Sequence, residues 1–390
     1  MVITRIYLDH NATTPLGAAA RSALQAALDV WGNPSSIHAS GRQARSVVEN
    51  SRLKVSLLLG CEADECIFVS GGTEGDNLAI RGLALAARAN RTSLAGPPHI
   101  ISTAIEHPAV RGALAELQRE GFVVTDVPVS AEGQVAPDDL AAALRPETLL
   151  VTVALANHEI GTVAPIAELA RIAHQGGALF HTDAVQAAGK MRLDVRALGV
   201  DAATISSHKL YGPKGVGAIY VRRGLWAHPL VCGGHQEHER RGGTENTPAI
   251  AGFGAACEET MQAIAADGPR IGGLRDAFEA RLLAIPGAQR QGPAVGRVPG
   301  TCNVSFAGAR GELVVIGLDL EGICVSTGAA CTSGSVEPSA VLLGIGVPVE
   351  RARQAIRFSL GRNTTEADCL LAAAVVERVV ARVRGAAHTG

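Results

Sequence analysis

The chain has 390 residues, of which 47% are hydrophobic and 18% charged, with a formal net charge of -2. That is long enough for a large core and more than one domain, and too neutral for a protein whose principal partner is nucleic acid. Aromatic residues make up only 3%, too few for base-stacking platforms, and no apolar run is long enough to span a bilayer.

The N-terminus, Met1 to Arg5, leads into Asp9-His10-Asn11 without a signal-peptide apolar core, so a cytoplasmic location is expected. The eight cysteines include no Cys-x-x-Cys pair, so no zinc cluster is expected and most should be small buried hydrophobes. Tyr7 to Pro15 is polar and turn-like, and Pro15 opens a predicted helix with Leu16, Ala20, Leu24 and Leu28 on one face. Asn33 to His38 is a loop, followed by an amphipathic helix from about 41 to 59 that stops at Gly60.

Cys66 to Val69 reads as a strand, Ser70-Gly71-Gly72-Thr73 as a turn, and Leu78 to Ala89 as a helix. A strand, a Gly-Gly-Thr turn and a helix start make an anion site, or more plainly a Thr N-cap. The turn is neither a Walker loop nor a Gly-x-Gly-x-x-Gly fingerprint, which disfavours ATP and NAD. Further strands are predicted at His99 to Ile105, Phe122 to Val127, Leu149 to Leu155 and Ala178 to His181, alternating with helices from Glu106 and at 137–144 and 166–174. Such alternation implies a mostly parallel sheet with helices on both faces.

His107, the trio Asn157-His158-Glu159, and Asp183 with Gln186 all fall at strand ends. Val200 to Ile205 is another strand, and Ser206-Ser207-His208-Lys209-Leu210-Tyr211-Gly212-Pro213-Lys214-Gly215 is the loop beyond it. Lys209 is one of only four lysines in an arginine-rich chain, so an amine that can lose its proton has a use there, unless it is an ordinary loop lysine. A strand-end carboxylate and a strand-end lysine suit pyridoxal phosphate (PLP). The acid pairs with the pyridine nitrogen and the amine holds the aldehyde carbon. Taken singly, Asp183 reads as a cap and His107 as a surface residue.

After the strand Val216 to Val221, the segment Cys232 to Asn246 is a charged loop. Its His235 and His238 lack a third, helically spaced ligand, so a solvated loop or an inter-subunit contact fits better than a metal site. Thr247 to Leu283 is helix-rich and leads to a second α/β region of strands 303–306, 323–325 and 355–360 and helices 312–320 and 366–383. Within it, Ser326 to Ser335 surrounds Cys331 with small residues, so this cysteine is expected to be exposed and free to react. Arg357 and Arg362 offer guanidinium forks for a carboxylate, or else surface ion pairs.

Together these stretches resemble the cysteine desulfurases, in the NifS/IscS-type branch of the PLP-dependent aminotransferase class V family. The resemblance runs from about residue 7 to 368. It is carried by Leu8-Asp9-x-Asn11-Ala12-Thr13-Thr14-Pro15, Ser70-Gly71-Gly72-Thr73-Glu74, Glu106-His107, Glu159-Ile160-Gly161, Asp183-Ala184-x-Gln186 and Ser206-x-His208-Lys209-x-Tyr211-Gly212-Pro213-Lys214-Gly215. Arg241-x-Gly243-Thr244-Glu245-Asn246, Ala330-Cys331-Thr332-Ser333-Gly334 and Ile356-Arg357-Phe358-Ser359-Leu360 complete it.

The resemblance implies a homodimer of PLP fold type I, with a large cofactor domain at 15–262 and a smaller α/β domain at 1–14 and 263–390. It makes Lys209 the cofactor lysine, Asp183 the pyridinium partner, Gln186 a donor to the phenolic oxygen, and His107 a ring-stacking proton carrier. Gly72, Thr73, Ser206 and His208 would hold the phosphate, with Thr244 from the other subunit. Arg357 and Asn33 would hold the carboxylate of L-cysteine. Cys331 would take the substrate sulfur as a persulfide, leaving alanine, and pass it to an acceptor protein. No resident metal, membrane or direct nucleic-acid contact is implied, beyond transient iron–sulfur ligation by Cys331.

The same reaction class includes selenocysteine lysis and transamination, and a cofactor-binding subunit without turnover is a third reading. Cys331 argues against transamination, and intact Lys209, His107 and Cys331 against the last. The chain departs from the family at His158, where an asparagine is usual near the cofactor. An imidazole there can still bond the phenolic oxygen, but its protonation would alter the pKa of the lysine–cofactor linkage. His10, and the segment His235-Gln236-Glu237-His238-Glu239-Arg240 with its second histidine, are milder variations.

Overall fold

The protein is described here by a computed structural model covering residues 5–91, 94–328 and 337–387. Its strands are β1 (Ile6–Tyr7), β2 (Cys66–Val69), β3 (His99–Thr103), β4 (Val123–Val127), β5 (Thr148–Thr152), β6 (Leu179–Asp183), β7 (Ala202–Ser206), β8 (Gly217–Val221), β9 (Ala288–Arg290), β10 (Thr301–Phe306), β11 (Ile323–Cys324) and β12 (Ala355–Ser359). Seven of them form one sheet in the order β2-β8-β7-β6-β5-β3-β4. The β4-β3-β5-β6-β7 run is parallel throughout, whereas β8 is antiparallel to both β7 and β2. Two antiparallel steps cancel, so β2 points the same way as β7. The carboxyl ends of β2, β3, β5, β6 and β7 therefore share one edge, the edge where open α/β sheets bind ligands.

Strands β2, β3, β5, β7 and β8 are buried along their whole length, as expected of a sheet covered on both faces. The helix Gly72–Asn90 lies close against that sheet because it carries glycine where it crosses: a Cβ on Gly75 would stand 2.6 Å from Thr204 Cγ2. Helix Ala39–Leu59 ends at Gly60, whose left-handed φ of 74° closes it as the sequence predicts. The helix expected to open at Pro15 instead spans Ala18–Ala27. The reason is competition for the backbone: Thr14 N donates to His208 O and Gly17 N to Tyr211 O, which holds residues 14–17 extended against the Lys209 loop.

The smaller sheets are β12-β10-β9, antiparallel, and β1-β11, parallel. They enclose their own apolar cluster around Phe278, Phe306, Phe358 and Val376, distinct from the cluster of Phe180, Tyr220 and Phe253 beneath the large sheet. A single helix, Thr247–Leu283, belongs to both: Ile250 and Phe253 sit in the first cluster, Phe278 and Leu282 in the second, with Pro269 between them.

Candidate active site

Each strand end at the shared edge is followed by a turn that aims one polar side chain. After β3, the buried Glu106 accepts from Thr103 Oγ1 at 2.8 Å and Ala154 N at 3.1 Å, which fixes the turn. His107 then caps the helix Pro108–Arg119, its Nδ1 accepting from Ala109 N at 3.1 Å. That bond leaves Nε2 as the nitrogen that carries a proton in the neutral ring. Asp183 closes β6, and its Oδ1 accepts from Val185 N at 2.8 Å. Beyond β7 a single 3₁₀ turn, Ser207–Lys209, swings Lys209 over the edge, and Tyr211 follows at φ 67°. The next residue must be glycine, since a Cβ on Gly212 would lie 2.0 Å from Ser207 Oγ.

These turns enclose a cavity of about 240 Å³. Lys209, Ser206 and His208 line one side, Asp183 and Gln186 the floor strand's end, His107 and His158 another side, and Gly72 with Thr73 the helix N-terminus. The residues named from the cofactor-binding motifs thus converge, apart from Thr244. Ser206 Oγ is buried with no hydrogen-bond partner. His107 and His158 meet edge to face, ring centroids 5.2 Å apart. One lining residue, Asp76, was not singled out from sequence. It is 1% exposed, its Oδ1 has no hydrogen-bond partner and lies 3.8 Å from His181 Nε2, and polar atoms of Asp76, His107 and Asp183 all lie within 4.8 Å of one another.

Enclosure governs the charges. Burial, with Arg357 nearby, lowers the Lys209 amine from 10.5 to about 8 against the opposing pull of Asp183 and Asp9. Its Nζ donates to the carbonyls of Asn11 at 2.6 Å and Ala12 at 2.8 Å. Burial raises the Asp183 carboxyl, with His107 and Lys209 acting the other way, and lifts Glu106 to about 8. Burial also lowers His107 and takes His158 well below 6.5, the latter helped by His107 and Arg357. Burial thus favours the uncharged form of the His158 ring.

Arg357 on β12 reaches the same edge. It donates to Asp9 Oδ1 at 2.9 Å and to His158 O at 3.2 Å, while its buried Nε has no partner. Asn33 lies apart, exposed, with its Oδ1 accepting from Ser35 N at 2.8 Å. Thr244 lines a separate surface cavity with Ser70 and Arg241. Cys331 falls outside the described residues. The loop of Thr244 is less solvated than its charges imply: Glu237 is buried and clamps Arg52 with two bonds, at 2.6 and 2.8 Å, while also accepting from Phe68 N. Its own residues Glu237, His238 and Glu239 all take positive φ.

Residues 6–370 match the model of the aminotransferase class-V family. The chain belongs to that family. Among curated relatives, "Cysteine desulfurase IscS" of Dictyoglomus turgidum is 46% identical over 381 residues, covering 97% of this chain and 95% of its own. A solved structure described as a NifS-like protein superposes with a TM-score of 0.90 at 33% identity, covering 97% of this chain and all of its own. Another, "SspA in complex with cysteine", gives a TM-score of 0.80 at 32% identity over 92% of this chain and 99% of its own. The class-V fold, with its mostly parallel sheet, is that read from the sequence.

Proposed function

We propose that this chain is a PLP-dependent L-cysteine desulfurase that converts L-cysteine to L-alanine and keeps the sulfur as a persulfide on Cys331. The observation that carries the reading is the pairing, in one cavity, of a lysine whose amine is lowered to about 8 with a buried strand-end carboxyl. The donor set fits PLP. Lys209 supplies an amine that loses its proton near neutrality, Asp183 a carboxylate for the ring nitrogen, and Gln186 an amide for the phenolic oxygen. The unpaired Ser206 Oγ, with Thr73, His208 and the helix start at Gly72, fits a phosphate. Thr244 completes that cradle from a second copy of the chain in a homodimer.

PLP, when bound, supplies an electron sink that weakens the substrate bonds at and beyond the α-carbon. His107 moves protons through Nε2, its Nδ1 being committed to the helix cap. The free N–H of Arg357 holds the substrate carboxylate. The Cys331 thiolate then attacks the substrate sulfur: an S–S bond forms, the C–S bond breaks, and alanine leaves with the proton that replaces sulfur. The relatives' printed names, and the cysteine in the SspA title, support this substrate. The two apolar clusters support a division into a unit of residues 15–262 and a smaller one of 1–14 with 263–390. A cytoplasmic homodimer serving a sulfur-acceptor protein, for iron–sulfur clusters or thiolated cofactors and nucleic acids, completes the reading.

The test is an absorbance spectrum of the purified protein followed by addition of L-cysteine. A visible cofactor band, and alanine formed in step with sulfur release, is the expected result. Cys331→Ser should keep the band and lose persulfide transfer; transfer at the wild-type rate would show that Cys331 is not the carrier. No band even after added PLP would overturn the reading.

A further inference from the structure

Behind the cavity wall stands a second lysine that the proposed reaction does not use. Lys190 Nζ donates to Asn11 Oδ1 at 2.5 Å and also to Gln186 Oε1. Gln186 is buried, and its Nε2 donates to the backbone carbonyl of Asn11 at 3.0 Å. The orientation of each amide in this triangle is dictated by its neighbours. Asn11 Nδ2 donates to His158 O at 3.1 Å and to Thr301 Oγ1 at 2.9 Å, and a backbone carbonyl can only accept. Asn11 Oδ1 must therefore face a donor, which is Lys190. The same amine meets Gln186 Oε1, so the NH₂ end of Gln186 is turned away from it.

We propose that Lys190 is a positioning residue that fixes the Gln186 amide with its NH₂ group toward the cavity. One of the two amide protons is spent on Asn11 O, and the second remains for an acceptor in the cavity that Gln186 lines. Asn11 O alone is a poor anchor, because Lys209 Nζ competes for it at 2.6 Å and that bond must change whenever Lys209 acts as a nucleophile. Lys190 is independent of that event. Burial, with Lys209 and Arg357 close by, pushes the Lys190 amine well below its usual 10.5.

The inference rests on Gln186 bonding the phenolic oxygen of the cofactor, and the experiment separates the two. In the holoenzyme, Lys190→Met should raise the pH midpoint of the visible band by about one unit, since a donor to the charged oxygen is misaligned. In a Gln186→Ala background the same substitution should add almost nothing. An equal shift in both backgrounds would overturn the proposal, because Lys190 would then act through its charge or packing. Neutron diffraction from the deuterated wild-type protein reads the amide directly, with or without cofactor. Deuterons on the end of Gln186 remote from Lys190 are expected, and deuterons on the near end overturn the proposal whatever the band does.

Discussion

The lowered amine of Lys209 makes a quantitative demand on how the protein captures an aldehyde. At pH 7.5 an amine of pKa about 8 is neutral in about a quarter of molecules, against about one in a thousand for an ordinary lysine, a gain of roughly two hundredfold in nucleophile. Capture of PLP by the cofactor-free protein, followed by stopped-flow absorbance across pH 6 to 11, should therefore rise tenfold per unit below about 8 and level off above it. The sign of each neighbour is also fixed. Arg357→Met removes a neighbouring positive charge and should move the midpoint up, whereas Asp9→Asn removes an opposing negative charge and should move it down. Capture that keeps rising to pH 10 in the wild type would refute the claim that enclosure lowers this amine. Unchanged midpoints in both variants would refute the assignment of its neighbours.

Glu237→Ala leaves the buried Arg52 guanidinium with only the more exposed Glu49 as a carboxylate partner, a loss of about 3–5 kcal/mol in urea unfolding, and a loss below about 1 kcal/mol would mean that Glu49 or water compensates for it. His158→Asn restores the residue usual in the family; because burial keeps His158 uncharged near neutrality, the spectrum and turnover should keep the same pH profile between 6 and 8. A step near 6.5 present in the wild type and missing in the variant would show that His158 titrates after all.

Lys209, Asp183 and His107 were legible because each terminates an apolar run, and the end of a strand is a position that one-dimensional patterning reveals. Gly72 and Thr73 were legible for the same reason. What escaped was whatever the third dimension supplies. Asp76 lies mid-turn on a helix with nothing in its flanks to mark it, and only the approach of that helix to β7 brings it beside Asp183. Lys190 follows Gln186 by one helical turn's spacing, yet its meaning comes from Asn11, 179 residues earlier. Glu237 sits among charged neighbours and reads as solvated; its partner Arg52 is 185 residues away. The late start of the first helix has the same origin, since the bonds that hold residues 14–17 extended come from the Lys209 loop.

The first strand and the turn behind it are tied to the far end of the chain. Ile6 pairs with Ile323, Asn11 N donates to Ser359 Oγ, and Asp9 holds Arg357. During synthesis, which proceeds at about 5–20 residues per second, this stretch leaves the ribosome long before the segments it pairs with. The large sheet can close on its own strands well before then. A nascent chain interrupted short of residue 357 would lack Arg357 and its bond to Asp9, so the contacts that close this end of the cavity are completed late.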